Sequence, residues 1–447
     1  MNIVVCGAGE VGRVAAEVLG GAGHNITVID LEPTKLSMLD ETMDVRSLRG
    51  DCNHAEVLLE AGCSRADLLL AVTNSDQANL LAASFAKGLG THRTIARVHH
   101  SAFFEERGLD YAEHLGIDDL LCPDHATATE IAQTLRSPGA IAVERFAGGR
   151  IEMQQFPVSD DAKAVGQALS EMKLAAPARL AAIERSGVAF IPDAGTRIEA
   201  GDIVTLIGES EHFSRIRKHF RGEPVRRQSV LLMGGTAQSV WLARALKGPR
   251  FAVRLFEPRA ARAEELAAKL SWVTVLRGDP TQESDLLQEE RIDQADAFVA
   301  VSDDDEHNIL AAARAKSMGV RHAIAVLQRP TYLHLIEHVG IDRAFSPRVT
   351  AVDEILRMID QSKVRRLGTL VQDAIDVFEV VVPPEGNTVI DKPLHEIKFP
   401  SKTFIAAIQR EGDVHLPSAK DVIKTGDTVI LIGPPAARGE LKKVFGL

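Results

Sequence analysis

The sequence predicts an α/β protein built twice over: two parallel-sheet domains, each followed by a small β-rich α+β domain. Three observations predict it. A glycine-rich turn, Gly7-Ala8-Gly9-Glu10-Val11-Gly12, stands directly behind the apolar run Ile3 to Cys6. Short apolar runs at Ile26 to Ile29, Leu68 to Val72 and Thr94 to Val98 alternate with helical stretches such as Asp76 to Gly88, as in right-handed βαβ units. The pattern then recurs from about residue 229: Gly50-Asp51 is matched by Gly278-Asp279, Thr73 by Ser302, Gly116-Ile117-Asp118 by Gly340-Ile341-Asp342, Pro123 by Pro347 and Gly201-Asp202 by Gly426-Asp427.

At 447 residues the chain exceeds what one core organises, so several domains are expected. Its hydrophobic share is 45% with only 4% aromatic, which suits helices packed on buried parallel strands. A net charge of -11 argues against a nucleic-acid partner, since phosphate-binding surfaces are basic. No run approaches the ~18 apolar residues a spanning helix needs, and the N-terminus enters a strand without a leader, so a soluble, cytoplasmic chain is expected. Cys6, Cys52, Cys63 and Cys122 lack metal-ligand spacing and read as buried reduced thiols, with no metal expected.

Within each half the pattern changes near residues 138 and 367. The runs Ile141 to Phe146, Ile151 to Phe156, Ala178 to Glu184, Ala189 to Pro192 and Asp202 to Ile207 read as strands of the β-rich module. The boundaries predicted are 1–137, 138–222, 228–366 and 367–447. The basic junction Arg215 to Arg227 reads as a solvated helix face with a linker, a docking surface being the alternative.

The glycine turn has the context its chemistry needs. Gly7 permits the tight turn off the first strand, Gly9 lets the backbone approach a pyrophosphate, and Gly12 lets the next helix pack close to the sheet. The helix from about Val11 offers free amides and its positive dipole end to phosphates. Asp30, ending the second strand, is placed to accept both ribose hydroxyls of an adenosine and would repel a 2'-phosphate, which favours NAD(H) or adenine nucleotides. Asp51 is placed to meet adenine or to order its loop. Thr73-Asn74 and Arg97 end strands at the same crevice; the alternatives are a helix cap at Thr73 and an ion pair of Arg97 with Asp30 or Asp51.

In the second half Gly234 takes the place of Gly7 and Gly235 follows it, but Thr236 and Ser239 replace Gly9 and Gly12, and Val326 stands where Arg97 does. Glu257 and Asp279 keep the two carboxylates. That cleft reads as holding a mononucleotide or as empty and structural. No acid, base or nucleophile constellation accompanies the turns; His99-His100 is the pair nearest the crevice, and adjacent strand residues face opposite ways. A non-enzyme is expected, the alternative being an NAD-dependent oxidoreductase with tandem Rossmann-like domains.

These motifs, with Asp76-Gln77-Ala78-Asn79 and Cys122-Pro123, resemble the regulator of potassium conductance (RCK) domain. The modules carrying Leu394-x-x-Ile397, Ile405-x-x-Ile408, Pro417 and Gly426-Asp427 resemble its C-terminal companion. The order over the whole chain is similar to the family of Trk potassium-uptake regulatory subunits. The resemblance implies a homo-oligomeric, commonly tetrameric, cytoplasmic ring under a membrane potassium-translocating subunit of the TrkH or TrkG type. It implies NAD(H), ATP or ADP in the cleft as the gating ligand, with contacts at Gly7, Ala8, Gly9, Glu10, Val11, Asp30, Thr73, Asn74 and Arg97. Helices near Ala126 to Leu135 and Thr350 to Ile359, apolar on one face, are candidates for intersubunit contacts.

Overall fold

The computed structural model describes residues 1–104, 109–136, 142–146, 150–174, 178–185, 188–220, 227–283, 285–359, 364–370, 375–384, 389–411 and 413–447. These form two compact units, 1–132 with 227–358 and 133–226 with 359–447, so like halves associate with like rather than standing as beads in chain order.

In the first unit, strands β1 (Asn2–Cys6), β2 (Asn25–Asp30), β3 (Arg46–Arg49), β4 (Leu68–Ala71), β5 (Arg93–Arg97) and β6 (Asp119–Leu121) form a six-stranded sheet. Its order is β3-β2-β1-β4-β5-β6, with every pairing parallel. The order reverses between β1 and β4, which opens a crevice above the ends of those strands. Central strands are apolar on both faces because helices cover both: Ile3 to Cys6 and Leu68 to Ala71 are fully buried. The edge strand β3, Arg-Ser-Leu-Arg, has no such run and carries no apolar signal in the sequence.

Each βα turn has a physical reason. Gly7 has φ +106, and a Cβ there would press on the backbone of Thr73. Ser75 caps the helix Asp76–Leu89 by accepting the Ala78 amide at 3.2 Å, and Gly90 ends it in the left-handed conformation. The cap is therefore Ser75 and not Thr73.

In the second unit, β7 (Ala142–Phe146), β8 (Ile151–Pro157), β9 (Ala178–Arg185), β10 (Val188–Phe190) and β11 (Ile203–Glu209) form an antiparallel sheet in the order β10-β9-β11-β8-β7. Ile141, where β7 was expected to begin, lies outside the described residues. Ile216 and Phe220, inside the basic junction, and Phe213 just ahead of it are buried in this module's core, so only part of that segment is a solvated face; residues 221–226 lie outside the described residues.

The second half repeats both sheets. In the first unit, β12 (Gln228–Met233), β13 (Phe251–Phe256), β14 (Thr274–Leu276), β15 (Ala297–Ala300), β16 (His322–Val326) and β17 (Arg343–Phe345) reproduce the parallel order. In the second unit, β18 (Val364–Leu370), β19 (Ile375–Val381), β20 (Phe404–Arg410), β21 (Asp413–His415) and β22 (Thr428–Gly433) reproduce the antiparallel one. β18 already pairs with β19, so this module starts a few residues ahead of position 367. Ile151, Met153, Ile207, Val377, Ile430 and Ile432 share one core between the two antiparallel sheets.

Within the first unit the two parallel-sheet halves meet directly. Trp241 packs edge-on against His125 at 4.7 Å between ring centroids. The Thr350 hydroxyl donates to Glu130 at 3.2 Å, and Arg348 pairs with Glu10 at 3.0 Å. The helices Pro123–Arg136 and Pro347–Ile359, read from the sequence as intersubunit elements, thus contact each other inside one chain. No helix among the described residues is long and apolar enough to cross a membrane.

Candidate functional site

A cleft of about 420 Å³ opens at the switch point of the first parallel sheet. Gly7, Gly9, Asp30, Asp51, Thr73 and Asn74 line it together. Ala8, Glu10, Val11 and Gly12 make the turn and first helical turn behind that lining. The Ala8 amide donates to Asp30 Oδ2 at 2.6 Å, and the Glu32 amide donates to Oδ1 at 2.8 Å. The Asp30 carboxylate so ties the glycine turn to β2 while keeping lone pairs free at the cleft wall.

The three glycines do different work. Gly12 is held close: a Cβ there would overlap the Gly7 carbonyl oxygen. Gly9 is not constrained by the protein at all. Its backbone (φ -69, ψ -177) suits any residue, and a Cβ would meet no heavy atom within 4 Å. It is the N-cap of the helix Glu10–Gly21, yet no side chain caps that helix, so the first amides are left without an intrahelical or capping partner. Glu10, the acidic residue of that first turn, is paired with Arg348 from the other half, which offsets a charge that would oppose an anion.

Asp51 accepts the Asn53 amide at 2.9 Å and orders its loop. Thr73 gives both its amide and its hydroxyl to Asn79 Oδ1, at 2.8 and 2.7 Å, and Asn79 Nδ2 donates to the carbonyls of Thr73 and Arg97. Asn79 thereby locks the ends of β4 and β5 at the crevice. Arg97 is not in the cleft lining and does not pair with Asp30 or Asp51. Burial pulls its pKa down, Asp124 and Asp76 oppose that, and neighbouring Arg348 adds to it; its Nε is buried without a hydrogen-bond partner. The amides of His99 and His100 both donate to Asp76, and the His99 ring lies 3.4 Å from Asp124, so this pair is tied up beside the helix start, outside the lining.

Sequence reasoning missed Glu32, Lys35, Cys52 and Asn53, which also line the cleft. Asn53 Oδ1 is buried there without a partner. No periodicity marks the loop positions Glu32, Cys52 and Asn53 or the helical Lys35, and Arg348 becomes visible only once the two halves are docked.

Models of the TrkA-N domain match residues 3–123 and 230–347, and models of the TrkA-C domain match 153–221 and 377–446. The chain belongs to the TrkA family. Trk system potassium uptake protein TrkA homolog 1 of Methanosarcina mazei is 33% identical over 453 residues, covering 100% of each chain. Trk system potassium uptake protein TrkA of Haemophilus influenzae is 32% identical, covering 100% of this chain and 98% of its own. Among solved structures, the GsuK channel bound to NAD is similar in fold, with a TM-score of 0.63 at 16% identity over 99% of this chain and 78% of that one.

Both TrkA-N halves share one polar frame. Gly235, Glu257, Asp279, Ser302, Asn308 and Asp305 repeat the bonds made by Ala8, Asp30, Asp51, Thr73, Asn79 and Asp76. They differ at the helix start, where Thr236 accepts the Ser239 amide as a side-chain cap.

Proposed function

We propose that this TrkA-family chain is the nucleotide-sensing regulatory subunit of a Trk-type potassium uptake system. An adenosine diphosphate moiety, as NAD(H), ADP or ATP, occupies the first cleft. Its phosphates lie on the free amides of Gly9, Glu10 and Val11, its ribose on Asp30, and its adenine toward Asp51 and Asn53. Thr73 and Asn74 close the crevice opposite, and Arg97 adds positive charge behind the phosphates. The observation that carries this reading is the uncapped helix behind a glycine that the apoprotein itself does not need: a free anion site with open space in front of it.

Binding moves no atoms between substrates in this account. A ligand shifts a two-state assembly only by its differential affinity for the states, typically ~1 to 3 kcal/mol per coupling. A homo-oligomeric, tetrameric ring at the cytoplasmic face sums such terms over its copies and transmits them to a membrane subunit of the TrkH or TrkG kind. The relatives named as Trk system potassium uptake proteins support the transport role, and the NAD-bound channel of similar fold supports the ligand class.

The test is titration of the full chain with NADH, NAD, ADP and ATP by calorimetry, followed by potassium flux in vesicles holding the membrane subunit. Saturable binding that changes flux is expected. Flux that ignores every nucleotide, or steady turnover by the purified chain, as oxidation of NADH with a small keto acid or reduction of NAD with a small hydroxy acid, would overturn the reading.

A further inference from the structure

The second parallel-sheet cleft keeps the frame of the first but fills it with its own side chains. Glu257, at the Asp30 position, is 1% exposed and accepts four bonds: the Gly235 amide at 2.8 Å, the Arg259 amide at 2.9 Å, Arg259 Nε at 2.7 Å and Arg259 Nη2 at 3.2 Å. A carboxylate has about four lone-pair sites, so none remains for ribose hydroxyls. Asp30 accepts two bonds and faces open cleft.

Each further position differs in the same direction. Arg262, where the first half has the cleft-lining Lys35, donates Nε to the Gly235 carbonyl at 2.8 Å. Thr236, at the Gly9 position, places a methyl and a hydroxyl before the helix; the hydroxyl caps Ser239 and donates to the Val301 carbonyl at 2.9 Å. The Ser239 hydroxyl, in place of Gly12, bonds the Gly234 carbonyl. His307, where Ala78 lines the first cleft, lies against Thr281 and 3.2 Å from Asp279. Groups that the first cleft leaves open toward ribose, phosphate and base are thus engaged here by the half's own side chains, although Arg259 itself remains 68% exposed.

We infer that the second cleft is closed to nucleotides by Arg259, Thr236 and His307, so that each chain carries one nucleotide, in its first half. The closed half is a fixed partner surface, and its helix supplies Arg348 to the Glu10 turn of the responsive half. Ligand-driven change then originates in half of the parallel-sheet clefts of any assembly.

The test is a count of bound nucleotide per chain, by equilibrium dialysis with ADP and NADH as probes, joined to photolabelling with an azido-adenine ADP and peptide mapping. One equivalent per chain is expected, with label confined to the first 100 or so residues, and a Gly9→Thr chain should bind that equivalent roughly 10- to 150-fold more weakly. Two equivalents, label in peptides spanning 228–326, or one equivalent bound with unchanged affinity in Gly9→Thr would overturn the inference. Absence of binding and label from both halves would leave the second cleft closed as inferred and would remove the first-cleft reading instead. The photolabel uses the unmodified chain, so a folding defect in the variant does not blunt the test.

Discussion

Gly9→Thr separates a residue kept for a ligand from one kept for the fold. The position has ordinary extended backbone and no atom within 4 Å of a built Cβ, so the side chain enters free space. Replacing glycine where the backbone already suits other residues stabilises by about 0.4–1 kcal/mol through the unfolded chain. Thr236 shows the same residue capping the equivalent helix in this very chain. For a unit of this size the apoprotein melting temperature should hold or rise by roughly 1–4 °C.

Nucleotide binding should move the other way. A hydrogen bond to a charged group contributes about 1.5–3 kcal/mol, so denying the phosphates one amide costs roughly 10- to 150-fold in affinity. Calorimetric titration with ADP and NADH, beside melts of the ligand-free chain, reads both quantities. Gly12→Ala is the contrast, because its Cβ overlaps the Gly7 carbonyl and should lower apoprotein stability directly. Affinity for ADP unchanged in Gly9→Thr, with the fold intact, would refute the reasoning.

Asp30→Ala should weaken ADP and NADH alike while the chain stays folded, since the carboxylate both aims the turn and meets the ribose; equal titration curves would count against that role. Burial pushes the thiols of Cys63 and Cys122 up to about 12, so at pH 8 both should resist a disulfide-exchange reagent in the native chain and react once it is denatured. Burial also raises the Glu130 carboxyl, against the Thr350 hydroxyl and Arg357. A carboxyl raised in the folded state contributes stability that is present below its unfolded pKa and is lost as pH rises through the folded one, so Glu130→Gln should flatten that loss between mildly acidic and neutral pH in melts. Glu257 behaves oppositely. Burial works to raise it, but Arg259 and the amides of Arg259 and Gly235 outweigh that and hold it low, so its contribution should be lost as pH falls through the folded value and be absent in Glu257→Gln.

The fold was legible where burial writes a pattern. β1 and β4 are continuous apolar runs because helices cover both sheet faces, β2 and β5 carry shorter apolar stretches broken by Thr27 and Thr94, and the glycine turn, Asp30 and the repeat pointed to the crevice without coordinates. The edge strand β3 was not legible, since Arg46 and Arg49 face outward and only part of Leu48 is buried. Pairing of like halves was hidden too, because Trp241 against His125 and Thr350 against Glu130 join residues that no local period relates. Helix amphipathicity suggested the helices Pro123–Arg136 and Pro347–Ile359 as intersubunit elements, and it could not say that they contact each other within one chain, through Thr350 and Glu130. At the site, residue type singled out Gly9 and Asp30, and the structure brings both to the lining of one cleft. Only side-chain placement showed that Arg97 lies outside the cleft lining and that Arg259 bonds Glu257 in the second half.

The central claim is that the uncapped helix start at Gly9 to Val11 holds the phosphates of an adenosine ligand. A crystal structure of the chain grown with ADP tests it most directly. Diphosphate is expected on those three amides, ribose hydroxyls on Asp30 and adenine beside Asn53, in the first half alone. A well-ordered first cleft that stays empty at saturating ADP, or ADP bound elsewhere, would contradict it.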